Sequence, residues 1–139
     1  MKARAEAVVL TKKHRLKVKL YGDLPPVMAD ARRIAQVLTN LINNAVKFSP
    51  PDTEITISAT SIPDFVQIEV SDQGIGIPPE EQERVFEAFH QVEGRRHWEG
   101  AGLGTAICKG IVEAHGGRIW VHEQTSPGTT IVFTLPVAK

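Results

Sequence analysis

The stretch from Leu38 to Phe48 constrains the fold most, because at helical spacing it has two very different sides. One side is an apolar stripe suited to packing on a sheet: Ile34, Val37, Leu38, Leu41, Ala45 and Phe48, widened by Ile42 and Val46. The opposite side is polar and rich in amides: Gln36, Asn40, Asn43, Asn44 and Lys47. The segment therefore predicts an amphipathic helix that packs against a sheet.

The asparagines of this helix are costly, since asparagine amides compete for nearby backbone groups and lower helix propensity. The spacing i, i+4, i+7 places Asn40, Asn44 and Lys47 on one face. A carboxamide oxygen is a hard, neutral ligand for magnesium, and its NH2 group can donate to phosphate. On the helix alone, two interpretations have equal weight: a ligand-binding face, or a solvated face with a polar network in the fold.

Composition excludes several classes of protein. With 139 residues the chain suits one domain with one core, so 1–139 is predicted as a single domain, with 1–15 an expected cut end. The formal net charge of zero excludes a basic footprint for nucleic acid. The apolar runs are too short to cross a bilayer, and the N-terminus does not resemble a signal peptide. A cytoplasmic location is expected.

Cysteine and histidine usage predicts no disulfide and no metal site built from histidines. Cys108 is the single cysteine, which excludes an internal disulfide and fits a reducing compartment. Within a helix it is expected to fill the core rather than to act as a nucleophile. The five histidines show no metal-ligand spacing.

Helices and strands alternate along the chain between clear stop signals. Asp30 is the predicted N-cap of the asparagine helix, and Ser49-Pro50-Pro51 ends it. Period-2 patterns predict strands near 16–20, 54–60, 65–71, 118–123 and 129–135. A short helix is predicted to open at 78–81 and close on 85–89. A last helix, before Gly116-Gly117, is predicted to bury Leu103, Ile107, Ile111 and Ala114.

Two glycine clusters flank the short helix, and each alone is weak evidence. Gly74 and Gly76 directly follow a predicted strand, where a tight turn is the simplest interpretation. The cluster 100–104 precedes a helix, where free N–H groups and the helix dipole favour an anion. Neither is a Rossmann or Walker motif. Their order along the chain, together with the amide-faced helix, is more informative than either cluster.

That order resembles the catalytic ATP-binding domain of sensor histidine kinases, in the superfamily of type II topoisomerases, heat-shock chaperone ATPases and mismatch-repair ATPases. The resemblance covers about 16–136. Its motifs are an N box at 40–48, an Asp72-Gln-Gly-Ile-Gly-Ile box, a Phe86-Glu-Ala-Phe box, a Gly-Ala-Gly-Leu-Gly box at 100–104, and Gly128-Thr129. It implies an α+β fold, a two-layer α/β sandwich whose mixed sheet of about five strands is covered on one face by about three helices. A lid at 90–101 would cover ATP between the short helix and the glycine-rich helix.

The resemblance also implies the roles of particular residues. Asp72 would accept the adenine amino group, although a buried Asp could instead cap a turn. Asn44 would hold Mg²⁺, assisted by Asn40, with Lys47 on phosphate, and these three would be the catalytic residues. The implied nucleotide-binding set is Asn40, Asn43, Asn44, Lys47, Phe48, Asp72, Gly74, Gly76, Ile77, Gly100, Gly102, Leu103, Gly104, Thr105 and Thr129.

Three departures from the family pattern bear on activity. The run Phe89-His-Gln lacks the Arg or Lys that often follows the Phe box, so Arg95, Arg96 or Lys109 would have to supply positive charge. Thr105 replaces the usual Leu, where it could cap the helix or weaken packing under the lid. A dimerisation helix with a phosphoacceptor histidine is absent from the 139 residues, so the expected partners are that segment of a parent kinase and a downstream response regulator.

Three functions compete. A histidine kinase domain would donate the γ-phosphoryl of ATP to a histidine on another segment. A topoisomerase- or chaperone-type ATPase would need a Glu one turn before the magnesium asparagine to activate water, and Asn40 cannot take a proton there. A non-catalytic nucleotide-binding module or an anti-sigma-type serine kinase is the third. The Asn40 position favours the kinase, whose isolated domain is expected to be a monomer that binds Mg-ATP without phosphorylating itself.

Overall fold

A computed structural model of the chain describes residues 3–10, 15–50, 52–74, 86, 103–122 and 128–138, with only the backbone given for 3–10, 47–48 and 103–104. Within these ranges lie six strands and two helices: β1 Ala3–Leu10, β2 Arg15–Tyr21, α1 Ala31–Phe48, β3 Glu54–Ile62, β4 Phe65–Asp72, α2 Leu103–Ala114, β5 Ile119–His122 and β6 Thr129–Pro136. The short helix predicted between 78 and 89 lies outside the described residues, apart from Phe86, which is buried.

The strands form one mixed sheet in the order β1-β2-β3-β4-β6-β5. β2 and β3 pair in parallel, and every other neighbouring pair is antiparallel. A parallel pair needs a crossover connection, and α1 supplies it. The predicted α+β fold with a mixed sheet is confirmed. β1 is an additional strand, in a segment where alanines give too weak a period-2 signal to predict one.

The strand register separates an apolar face of the sheet from a polar one. Ile57 lies opposite Val70, and Ile68 lies opposite Phe133, all on the face against which the helices pack. The alternate positions of β3 and β4 include Ser58 paired with Glu69 on the other face. This alternation produces two layers, the sheet and the helices that pack on its apolar face.

The predicted apolar stripe of α1 forms the middle of the core. Val37, Leu41 and Ala45 are buried, and Ile34 and Leu38 pack against the same cluster. Burying a side chain such as Leu41 contributes about 1.5–3 kcal/mol relative to leaving it in water. The predicted boundaries are also confirmed, since Asp30 caps the helix and Ser49 ends it.

The predicted buried face of α2 was wrong by one position. The buried side chains of α2 are Thr105, Cys108 and Val112, whereas Ile107 is 41% exposed and Ala114 is exposed. The two sets have nearly the same helical spacing, so periodicity alone does not separate them. The prediction followed the most hydrophobic side chains, but α2 contacts α1 through the small thiol of Cys108 and also buries a threonine, Thr105. Ile111, which was also predicted, does pack against the core.

Candidate functional site

Helices α1 and α2 run antiparallel, as contacts at two levels demonstrate. The backbone N–H of Asp30, at the start of α1, donates to Nε2 of His115, just past the end of α2, at 3.0 Å. Farther along both helices, the Asn40 side chain hydrogen-bonds to the thiol of Cys108. Because each residue advances a helix by about 1.5 Å, roughly four more residues bring Asn44 alongside the first turn of α2.

Cys108 lies at the middle of this helix pair. Its side chain is fully buried, and its thiol donates to the Val37 carbonyl with 3.7 Å between sulfur and oxygen. Burial raises the pKa of the Cys108 thiol to about 11, against a smaller lowering by the Asn40 hydrogen bond. The thiol therefore stays protonated at neutral pH, and a nucleophilic role is excluded. The expected core role of this cysteine is confirmed.

The amide face of α1 divides into two parts. Asn40 and Asn44 are half-buried, while Asn43 is exposed to solvent. The structure therefore places Asn40 and Asn44 toward the interior side of the polar face, and α2 lies against that side. The side chains of Lys47 and Phe48, which were predicted to contact the nucleotide, lie outside the described part of the chain.

Asp72 ends β4 with its carboxylate held by two backbone groups. The N–H of Gly74 donates to Asp72 Oδ1 at 2.8 Å, and the N–H of Thr129 donates to the same oxygen at 3.2 Å. The first bond is an Asx turn, so the alternative in which Asp72 caps a turn is realised through Oδ1. The two bonds fix the plane of the carboxylate at the end of the strand. A side chain fixed in this way can recognise a ligand without losing much rotamer entropy on binding.

The start of β6 lies unusually close to Asp72. Thr129, which is 4% exposed, is paired with Asp72 across the two strands. Gly128 has φ +121°, and a Cβ at this position would overlap the Asp72 carbonyl oxygen. Only glycine fits such a close approach of two backbones. The predicted Gly-Thr motif is therefore a structural support for the Asp72 carboxylate.

Gln73 links this corner of the sheet to the end of α1. Its side-chain oxygen accepts a hydrogen bond from the Glu54 backbone N–H at 2.8 Å, so the end of β4 lies beside the start of β3. β3 begins five residues after the Ser49 cap of α1. The Asp72 carboxylate therefore lies at the end of the sheet where α1 also finishes.

Four elements converge at this end of the domain. The last turns of α1 bring Asn44, β4 brings Asp72, β6 brings Thr129, and α2 begins there with Leu103. The first N–H groups of a helix have no partner within the helix and carry its positive dipole, so the start of α2 favours an anion. The structure thus gathers a carboxylate, half-buried amides and a helix N-terminus, as binding of a base and phosphates requires.

Several predicted site residues lie outside the described residues. These are Gly76, Ile77, Gly100 and Gly102, together with the lid at 90–101 and the alternative cations Arg95 and Arg96. Gly74 is described and buried, and Lys109 is exposed on α2. Thr105 is 6% exposed, so a polar side chain occupies a core position in the first turns of α2.

Sequence reasoning missed three long-range contacts, two of which, at Gln73 and Cys108, lie in or beside the site, while the third, at His115, holds the other end of the helix pair. Gln73 and His115 act through hydrogen bonds to residues far along the chain, for which no local pattern exists. Cys108 was expected to fill space, but it also bonds to the amide face of α1.

Two absences among the described residues concern metal ligands and membrane spans. Within the described ranges, no three His, Cys, Asp or Glu side chains come together as metal ligands would. Neither α1 nor α2 is long and apolar enough to cross a membrane.

Comparison with known proteins gives consistent matches. A family model described as "Histidine kinase-, DNA gyrase B-, and HSP90-like ATPase" matches residues 29–139. The chain is 41% identical over 130 residues to the adaptive-response sensory kinase SasA of Synechococcus elongatus, covering 93% of this chain and 34% of that protein. The chain thus spans about a third of the length of this relative.

Solved structures with the same fold include two histidine kinases. Full-length ShkA in complex with AMPPNP is 32% identical with a TM-score of 0.76, over 90% of this chain and 26% of that chain. The mycobacterial sensor histidine kinase MprB is 33% identical with a TM-score of 0.76, over 89% of this chain and 82% of that chain.

Proposed function

The chain belongs to the histidine kinase-, DNA gyrase B- and HSP90-like ATPase family as a histidine kinase catalytic domain, and from this premise we propose that it binds ATP with magnesium. It would donate the γ-phosphoryl group of ATP to a histidine on a separate dimerisation segment. The observation that carries the proposal is the convergence of Asp72, Asn44 and the start of α2 at one end of the domain.

Asp72 is the proposed adenine-binding residue. Its Oδ1 is held by the N–H groups of Gly74 and Thr129, which orients the carboxylate to accept the adenine amino group. A hydrogen bond to an ionised acceptor is about twice as strong as a neutral one, and it favours adenine over guanine, which offers a carbonyl at the same place. With no side chains, Gly74 and Gly76 would let the backbone approach a flat base.

The amide face of α1 and the start of α2 are the proposed phosphate and magnesium site. The donor set fits Mg²⁺, a hard cation that binds through a few protein oxygens plus phosphate oxygens and water. Asn44 would hold the metal through its amide oxygen, with Asn40 assisting and Lys47 on phosphate. When bound, the metal would neutralise charge on the phosphates. The N–H groups at Gly102, Leu103 and Gly104 would donate to the same phosphates.

The amide side chain of Asn40 favours phosphoryl transfer over ATP hydrolysis. Activation of water requires a base near neutral pH, and an amide cannot take a proton there. Asn40 instead hydrogen-bonds to Cys108 and so belongs to the contact between the two helices. In phosphoryl transfer most of the catalytic effect is positioning and electrostatics, which amides and a helix N-terminus supply without a base.

The proposed partners follow from the same chemistry. A histidine-bearing dimerisation segment of a longer parent protein would receive the phosphoryl group, and a response regulator of a two-component pathway would take it next. The cytoplasm is the proposed location, because ATP is the proposed ligand and a single cysteine fits a reducing compartment.

The test has two stages. Calorimetric titration of the chain with ADP and with the ATP analogue AMPPNP, each with and without Mg²⁺, should give binding that magnesium strengthens. Incubation with Mg-ATP and a dimeric, histidine-bearing helical segment should then label that segment with an acid-labile, base-stable phosphate, as a phosphoramidate is. Rapid ATP hydrolysis by the chain alone would favour the ATPase function, and an acid-stable label would favour a serine kinase.

A further inference from the structure

The contact between Cys108 and Asn40 joins the predicted magnesium face of α1 to the helix that begins at the phosphate site. The Cys108 thiol donates to the carbonyl of Val37, which lies one turn before Asn40 on α1. Both Cys108 and Val37 are fully buried, and Asn40 is half-buried. The sulfur therefore lies against α1 at the turn where Asn40 projects, and its geometry is fixed by the core.

The direction of each hydrogen bond determines how the Asn40 amide is oriented. Because the S–H proton is donated to the Val37 carbonyl, sulfur can only accept from Asn40, and the NH2 group is the amide's donor. Asn40 is the side chain that hydrogen-bonds to the Cys108 thiol. The Asn40 NH2 group is thus assigned to Cys108, and the two ends of the amide are distinguished.

We propose that Cys108 is a positioning residue for nucleotide binding: by holding the NH2 group of Asn40, it presents the amide oxygen of Asn40 to magnesium or to the water around it. This inference rests on the proposed function of the site. A rotated amide would place its NH2 group toward the metal, where a donor repels a cation. Cys108 acts only through Asn40 and does not touch the ligand.

Calorimetry with four variants tests the proposal. For each, the affinity for ADP is measured with Mg²⁺ and with EDTA, and the ratio of the two affinities is the magnesium-dependent gain. Cys108→Ala should lower this gain about 10-fold, as loss of a residue that orients a metal ligand does. Cys108→Ser keeps a donor and an acceptor and should retain most of it. Asn40→Ala should lower the gain, and adding Cys108→Ala to it should change nothing further.

Val112→Ala is the matched control, because Val112 is also fully buried, one turn farther along the same face of α2. It should lower the unfolding temperature as Cys108→Ala does, but leave the magnesium-dependent gain unchanged. An equal loss of gain in both variants would reduce Cys108 to a packing residue. A loss from Cys108→Ala that persists in the Asn40→Ala background would equally overturn the proposal.

A second measurement separates failure of this inference from failure of the proposed function. In ¹⁵N–¹H spectra, the side-chain NH2 signals of Asn40, assigned by their loss in Asn40→Ala, should shift in Cys108→Ala and not in Val112→Ala. If the wild-type chain shows no magnesium-dependent binding, the proposed function fails whatever the spectra show. If it binds and the signals do not shift, the Cys108 inference alone is wrong.

Discussion

The two ends of the antiparallel helix pair differ in what their polar groups bond to. At the His115 end, made by the start of α1 and the end of α2, polar groups bond to one another. His115 accepts from the Asp30 N–H through Nε2, and the tautomer assigned from this bond lets Nδ1 donate to the Ile111 carbonyl. Asp30 in turn caps α1 through the N–H groups of Arg32 and Arg33.

The Asn44 end, made by the end of α1 and the start of α2, presents groups suited to a ligand instead. Asn44 is half-buried, Asp72 is held by backbone N–H groups, and α2 begins there with its positive dipole. Under the proposed function, one helix pair would serve two purposes. Changes at the His115 end should alter stability without altering binding, and changes at the Asn44 end should do the reverse.

The largest expected effect is the loss of stability in Gly117→Ala, at the His115 end. A Cβ at Gly117 would overlap the Thr134 carbonyl oxygen, which belongs to a central strand and cannot move away easily. We expect the free energy of unfolding to fall by about 3 kcal/mol, as in severe overpacking. Denaturant titration measures this loss, and calorimetry well below the unfolding temperature should give unchanged nucleotide affinity.

Gly110→Ala is the control for that substitution. Gly110 lies in the interior of α2, and a Cβ there would meet nothing within 4 Å. Alanine should raise stability by about 0.5–1 kcal/mol through helix propensity. Equal destabilisation by both substitutions would indicate that added volume at Gly117 is not the cause.

The next largest effect is the loss of nucleotide affinity in Asp72→Asn, at the Asn44 end. Loss of a charged acceptor for the adenine amino group should cost about 1.5–3 kcal/mol of binding, or roughly 10- to 100-fold in affinity. Stability should change little, because the asparagine oxygen can still accept from Gly74 and Thr129. Calorimetric titration with Mg-ADP and thermal unfolding measure the two quantities separately.

Glu69→Gln provides the matched control for Asp72. Glu69 lies on the same strand, three residues earlier and on the opposite face of the sheet, where it accepts from Ser58. Neutralising it should leave nucleotide affinity unchanged. A similar loss of affinity in both variants would remove Asp72 from the site and indicate a general effect of charge.

His115→Ala should have the third largest effect, a loss of about 1–2 kcal/mol of stability from its two hydrogen bonds. The bond to Asp30 joins residues 85 positions apart, so its loss should loosen the helix pair at one end only. Hydrogen exchange should speed up at the start of α1, while Mg-ADP affinity stays the same. His122→Ala, on the exposed end of β5, is the control and should leave both unchanged. Weaker Mg-ADP binding in His115→Ala would contradict the independence of the two ends.

The contrast between local signals and long-range contacts explains what could be predicted from the sequence. α1 was predicted with its Asp30 cap and its buried stripe because caps, proline stops and apolar periodicity are local signals. The buried face of α2 was predicted wrongly because Thr105 and Cys108 are small or polar, and Cys108 is a core residue through its contact with α1. No local signal exists for that contact.

The candidate site was predictable as a set of motifs but not as a geometry. The order of amide helix, Asp72 and glycine clusters led to the family. The bond from Thr129 to Asp72 joins residues 57 positions apart, and the bond from Glu54 to Gln73 joins residues 19 positions apart. Such contacts depend on the sheet register, which a single sequence does not specify.

The smallest expected effects on stability come from substitutions of Asn43 and Asn44. These substitutions test whether the amides reduce stability in favour of function. Asparagine is a poor helix former, so Asn43→Ala and Asn44→Ala should each raise stability by about 0.5 kcal/mol if no bond in the fold is lost. Asn44 is half-buried beside the start of α2, whereas Asn43 is exposed, so the two differ in access to the site. Asn44→Ala should therefore lose most of the magnesium-dependent gain in ADP affinity, and Asn43→Ala should keep most of it. Thermal unfolding and calorimetry on both variants measure the pair of effects. If Asn44→Ala lowers stability and keeps the gain, the amide belongs to a network within the fold, and the Asn44 end would then resemble the His115 end.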